Sequence, residues 1–163
     1  MLAKSELRYL RRCVELAAEA LEHGDQPFGS VLVAADGRIL AEDRNRVAGG
    51  DHTRHPEFEL ARWAAANLTL EERTAATVFT SGEHCPMCAA AHGWVGLGRI
   101  VYATSSKQLH AWLEELGVPP SPVRNLSIQE VVRDIAVEGP VPELADEIRT
   151  LHRRYRRAAA AER

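Results

Sequence analysis

The chain has 163 residues, 45% apolar and 26% charged, with 20 basic and 23 acidic side chains and a net charge of −3. That balance fits one globular domain with a sizeable core, and no apolar run approaches the roughly 18 residues of a spanning helix. The slight acid excess argues against a large nucleic-acid partner, because phosphate backbones reward a basic stripe. Of the three cysteines, Cys85 and Cys88 are spaced Cys-x-x-Cys, which points to metal or redox chemistry in a reducing compartment rather than to disulfides. The first residues lack the basic-then-apolar layout of a secretory signal, so the expected location is cytoplasmic.

Residues 5–23 place Leu7, Leu10, Val14, Ala17 and Leu21 at helical spacing, with Cys13 beside that face as a small core residue. Residues 30–33 read as a strand, Asp36-Gly37 as a two-residue turn, and residues 38–42 as the returning strand. A loop over residues 43–51 follows. Pro56 suits the first position of a helix whose apolar face is Phe58, Ala61, Ala65 and Leu68. Residues 76–80 predict a third strand. A helix opening at Pro86 carries Met87, Ala90, Ala91, Trp94 and Val95, and residues 99–103 predict a fourth strand. Together these form a βαβ unit, which sets helix starts at the carboxyl ends of the strands. Beyond it the pattern predicts a helix over 107–116, a proline-rich loop over 117–122, a fifth strand over 123–128 and a short helix over 130–137. A final helix uses Leu144, Ile148, Leu151 and Tyr155 as its stripe. Its cluster from Arg153 to Arg157 reads as a solvated helix end. No internal repeat or inter-domain linker is evident, so residues 1–163 read as one domain, with 139–163 as a helical extension.

The chemistry gathers at His55-Pro56-Glu57 and Cys85-Pro86-Met87-Cys88. One imidazole and two thiolates suit borderline-soft Zn²⁺, and three protein ligands leave a tetrahedral position open. Glu57, two residues from the histidine, is placed to move protons without ligating, the task of a general acid and base. Free N–H groups at a helix start near Pro86 favour ionised thiols. Three other readings stand beside this one. Cys-x-x-Cys can be a redox pair, His84 or His92 can complete a closed four-ligand structural site, and the domain can be an inactive binding module. His52 reads as loop surface.

On these residues, together with Pro27-Phe28-Gly29-Ser30-Val31-Leu32-Val33, Asn45 and the run from Thr80 to Cys88, the chain resembles the cytidine deaminase-like superfamily. Within it the resemblance is to the nucleobase-deaminating branch of guanine, yeast-type cytosine and tRNA adenosine deaminases, and it covers residues 7–103. It implies an α/β fold, a three-layer α/β/α sandwich with a central mixed five-stranded sheet. It implies one zinc per chain on His55, Cys85 and Cys88, with Glu57 as proton shuttle. It also implies that Asn45 hydrogen-bonds the base, that Phe28 lies against the ring, and that Ser81, Glu83 and His84 form the rim. The tail, with Tyr155, is similar to the extension that closes guanine deaminase sites, often in the neighbouring subunit of a homodimer. The implied partner is therefore a small heterocycle, guanine first, with cytosine, amino-triazines, pterins, nucleosides and tRNA adenosine as alternatives. Two departures stand out. Pro56 replaces the usual alanine, which a first helical turn tolerates, and His84 replaces the usual proline, either to read a substrate group or to fill space.

Overall fold

In the computed structural model, which describes residues 2–162, the first apolar stripe forms α1 (Leu7–Glu22). Leu10, Cys13 and Ala17 on its inner face are fully buried. β1 (Gly29–Val33) crosses this helix so closely that a Cβ on Gly29 would overlap Leu16 and the Cys13 carbonyl, so only glycine fits. The chain turns at Gly37, with φ 86°, into β2 (Ile39–Arg44). A single 3₁₀ turn (Val47–Gly49) precedes α2 (Pro56–Asn67), α3 (Leu70–Ala75), β3 (Thr77–Gly82) and α4 (Pro86–Val95). Then come β4 (Ile100–Thr104), α5 (Ser106–Glu115), α6 (Ile128–Val131), β5 (Val137–Glu138) and α7 (Pro142–Ala161).

The sheet order is β2-β1-β3-β4-β5, antiparallel across β2-β1-β3 and parallel across β3-β4-β5. The period-2 alternation of strands sends Val31, Val33, Phe79, Val101 and Ala103 to the face covered by α1 and α7. Leu32 and Val78 point the other way into α2, and Ile100 and Tyr102 meet Ala89 of α4 and Ile128 of α6. The result is the α/β/α sandwich with a mixed five-stranded sheet that the resemblance implied. With helices on both faces, β1 and β4 are buried along their whole length.

Four expectations need correction. The fifth strand is not at 123–128, where Val123 and Leu126 are exposed, but at Val137–Glu138, at the end of the stretch expected to be helical, which it overlaps only at Val137. The cause is the Ser127–Glu130 capping box, which turns the chain into α6 before a strand can form. Another capping box, Thr69–Glu72, starts α3, a helix that apolar periodicity alone did not mark. The inner face of α2 is Pro56, Glu57, Leu60, Ala61 and Ala64, and Ala65 points to solvent. α4 likewise buries Cys88, Ala89 and His92, leaving Trp94 90% exposed. At 100° per residue Trp94 stands about 240° round from Cys88, so delivering the thiol inward turns the indole out.

Candidate active site

Both metal motifs occupy the residue just before a helix. His55 (φ −87°, ψ 140°) precedes Pro56 of α2, and Cys85 (φ −66°, ψ 165°) precedes Pro86 of α4. Each proline presets the first helical turn and disfavours helical geometry in the residue before it, which turns that side chain off the helix axis. Because β3 ends at Gly82, Cys85 lies at the carboxyl end of a strand beside its parallel neighbour β4, where open sheets place ligands.

This arrangement brings His55, Cys85 and Cys88 together across thirty residues of sequence, with their ligand atoms within 4.8 Å of one another. His55 Nδ1 lies 3.5 Å from each sulfur, and the sulfurs are 3.5 Å apart. A tetrahedron with metal–ligand bonds of about 2.0–2.3 Å has edges of roughly 3.3–3.8 Å, so the three donors fit zinc with little adjustment. The hydrogen bond from Cys88, and then that from His55, bring the Cys85 thiol down to about 4, while sharing that bond and burial push Cys88 up. Neither alternative fourth ligand joins them. The His84 ring packs edge-on to His92 with centroids 5.3 Å apart, and His92 Nε2 bonds the Gly98 carbonyl at 2.7 Å. Among the described residues these three form the one such ligand group, one donor short of a closed four-ligand site.

Glu57, in the first turn of α2, is 6% exposed, and burial raises its carboxyl above the ordinary range. Its Oε1 accepts hydrogen bonds from Thr80 Oγ1 at 2.7 Å and Ser30 Oγ at 2.9 Å. Ser30 and Thr80 are direct partners across the antiparallel β1–β3 pair, so the sheet register sets both hydroxyls under the carboxylate. The sequence reading missed both. The signal was available for Ser30, the one polar side chain of β1, whereas Thr80 shares β3 with Thr77 and Ser81 and does not stand out.

Glu57, His55 and Cys85 line a cavity of about 180 Å³ that also takes in Phe28 and Glu83. The Phe28 ring is seated against Gly82, where a Cβ would come within 3.1 Å, and is met edge-on by His152 of α7 at 5.0 Å. The outer wall comes from α5, through Leu109, His110 and Leu113, and from the stretch read as a fifth strand, through Val123, Arg124 and Asn125, none of which the sequence singled out for the site. Glu83 holds that wall. Its Oε2 accepts from Ser106 N at 2.8 Å and Ser106 Oγ at 3.0 Å, and its Oε1 accepts from Ile128 N at 3.2 Å.

The remaining expected contacts lie apart from the cavity lining. Asn45 is buried on a loop fixed by the Asp25–Arg44 ion pair at 2.8 Å, and its Nδ2 has no hydrogen-bond partner. Ser81 Oγ accepts from Gly29 N at 3.1 Å, tying β3 to β1. His84 is 1% exposed with both ring nitrogens unpartnered, a packed residue behind the metal loop. Tyr155 is half-buried on α7 under the Arg156 guanidinium, 5.2 Å from its ring centroid. No helix among the described residues is long and apolar enough to cross a membrane.

Two helix starts that present His, Cys and Cys at the end of a mixed sheet, with a buried glutamate alongside, define a zinc-dependent deaminase, a hydrolase class acting on C–N bonds. The chain belongs to the family described as the cytidine and deoxycytidylate deaminase zinc-binding region, whose model matches residues 3–104. A probable cytosine deaminase of Schizosaccharomyces pombe is 29% identical over 144 residues, 87% of this chain and 88% of that protein. Guanine deaminase of Bacillus subtilis is 38% identical over 97 residues, 58% of this chain and 62% of that enzyme. Among solved structures, one in complex with 8-azaguanine superposes with a TM-score of 0.69 at 25% identity, covering 92% of this chain and 83% of that one.

Proposed function

We propose that this chain carries out hydrolytic deamination of a free nucleobase or closely related aminated heterocycle, with guanine, converted to xanthine and ammonia, as the leading substrate. The observation that carries the reading is the buried carboxylate of Glu57, set beside a three-donor metal site in a shared cavity. Zinc, when bound, supplies Lewis acidity that brings the ionisation of water close to neutral pH. In this reading His55, Cys85 and Cys88 hold the ion. Glu57 accepts a proton from water and returns protons to the ring nitrogen and to the departing amine, so one carboxyl serves both halves of the reaction. Its upward displacement by burial suits a group that must give back what it takes.

Phe28, braced by Gly82 and His152, offers a flat apolar surface to the heterocycle. Glu83 acts by holding the wall, with Ser81 and His84 packed behind it. The cavity, about 180 Å³, is smaller than the roughly 300–1,000 Å³ of pockets for drug-sized ligands, and suits a bare ring system better than a nucleoside. The similarity to the Bacillus subtilis guanine deaminase and to the structure holding 8-azaguanine supports guanine. The near full-length match to the fission yeast relative favours cytosine as the second reading. A homodimer belongs to the same proposal and is checked by sedimentation velocity.

Ammonia release from guanine, cytosine, adenine, ammeline, a pterin, cytidine, guanosine and a tRNA anticodon stem, by the zinc-loaded parent and by Glu57→Ala, tests the reading. Release from guanine that vanishes in the variant, with zinc retained, is the expected result. Turnover of only nucleoside or RNA would overturn the free-base assignment, and Glu57-independent release would overturn the mechanism.

A further inference from the structure

The cavity is bounded by Phe28, on the segment that enters β1, and by the outer wall that Leu109 and Leu113 of α5 present. α5 buries none of its residues fully, so its own core packing does little to fix where that wall stands. Its apolar face is Leu109, Trp112 and Leu113, which helical steps gather within about 100° of one another. Leu109 and Leu113 line the cavity, whereas Trp112 packs against the cluster that holds Leu144, Ile148 and Leu151 of α7. Two side chains of α7, one turn apart, meet that indole. The Arg149 guanidinium carbon lies 5.9 Å from its ring centroid and the same guanidinium pairs with Glu115 of α5, while the His152 ring centroid lies 6.5 Å away. The His152 imidazole, 4% exposed, also meets the Phe28 ring edge-on at 5.0 Å. One buried ring therefore backs the supports of both walls without lining the cavity itself.

We infer that His152 is a positioning residue for the deamination, a spacer between Phe28 and Trp112 that sets the gap in which the substrate ring is held. Arg149 keeps Trp112 seated on α7, so the spacer acts on a wall that is gripped rather than free. The device works through shape. Removing the imidazole leaves room behind Phe28 and Trp112, and groups that lose contacts on one side move to recover them. Phe28 already rests against Gly82, so the room it can fall back into is the room that His152 fills. His55, Glu57, Cys85 and Cys88 stand on or beside α2 and α4, so a change at His152 alters how the ring is held and leaves the proton transfers in place.

The inference rests on the deaminase reading, so its test has one readout without substrate and one with it. In a Trp63→Phe, Trp94→Phe protein Trp112 is the sole indole, and its quenching by acrylamide reports how firmly it is seated. His152→Ala and Arg149→Ala should each raise the quenching constant about twofold, the lower end of what such ring contacts are worth in an equilibrium. His152→Phe, which keeps a planar ring, should leave it at the parent value. With a substrate that the parent turns over, His152→Ala should raise KM about 2–10-fold, the range those contacts span. Zinc content and kcat should hold, and His152→Phe should bring KM back. His152→Leu fills the volume without a planar ring; it should raise KM in the same way, and it takes the place of His152→Ala if that protein does not fold. Unmoved quenching, an unchanged KM, a fall in kcat at constant KM, or a His152→Phe protein as impaired as His152→Ala would overturn the spacer. A parent silent on every substrate, with Trp112 loosened as described, would instead overturn the deaminase reading and leave the grip of His152 on α5 standing.

Discussion

At the inner end of the cavity, His55, Glu57 and Cys85 hang from helix starts that rest on the sheet. At the outer end, Val123, Arg124 and Asn125 stand on an exposed loop between α5 and α6. The inner groups are placed by strand register, by prolines at helix starts and by a buried core. The outer loop answers to very little besides Glu83, which grips Ser106 at one end and Ile128 at the other. Chemistry that must be accurate to fractions of an ångström is built into the sandwich, whereas the surface that meets the far edge of the ring is left to a tethered segment.

Removing an inner ligand should have the largest consequence. Cys88→Ala, measured by zinc content, turnover and thermal denaturation, should lose metal, all detectable activity and the metal-linked part of the stability. Full zinc and activity in that variant would break the contrast outright. Glu83→Ala should leave zinc and kcat close to the parent but raise KM about tenfold, for the loss of roughly 1.4 kcal/mol of wall anchoring. Limited proteolysis should then cut faster within residues 117–127, and a fall in kcat at constant KM would mean that Glu83 belongs to the inner end.

His152 lies where the two ends meet, behind Phe28 and 6.5 Å from Trp112 of α5. Burial, assisted by the charge of Arg156, lowers its imidazole to about 3. The unfolded chain takes up that proton near pH 6.5 and the folded one only near 3, so the stability this group permits is complete above 6.5 and declines as pH falls toward 3. By pH 5 the loss should be about 2 kcal/mol. Urea titrations at pH 7 and pH 5 should show that His152→Phe flattens this slope, and an unchanged slope would place the acid sensitivity elsewhere. The smallest effect belongs to Arg124→Ala. On an exposed loop it should change stability by less than about 0.5 kcal/mol. KM should rise about twofold for rings with a carbonyl at the far edge, with kcat unaltered. A larger change in kcat would show that the outer wall reaches the reacting atoms.

The division between the two ends also governs what could be read from the amino acids. His55, Glu57, Cys85 and Cys88 were legible because ligand chemistry restricts residue type and because Pro56 and Pro86 mark where helices start. The contiguous apolar runs of β1 and β4, and Val78-Phe79 of β3, were legible for the same local reason, since strands buried on both faces tolerate little else. Ser30 carried a signal, polarity inside an apolar strand, and both it and Thr80 gain meaning only once β1 and β3 are paired. The outer wall carried none. Val123 and Leu126 look like strand residues, and only the Ser127–Glu130 box and the occupation of the β4 edge by Val137–Glu138 show why they are not. Trp94 misleads in the opposite sense, because its apolar character suggests burial while the rotation of α4 is already fixed by Cys88.

Since the segment from Ser106 to Ile128 leaves from and returns to a single carboxylate, its entry and exit points stay put whatever lies between them. Lengthening or shortening such an excursion costs only the slowly growing entropy of a longer loop and moves no strand. Evolution, or a designer, can therefore exchange residues 117–127 as a cassette, and retune which ring is admitted without rebuilding the machinery that acts on it.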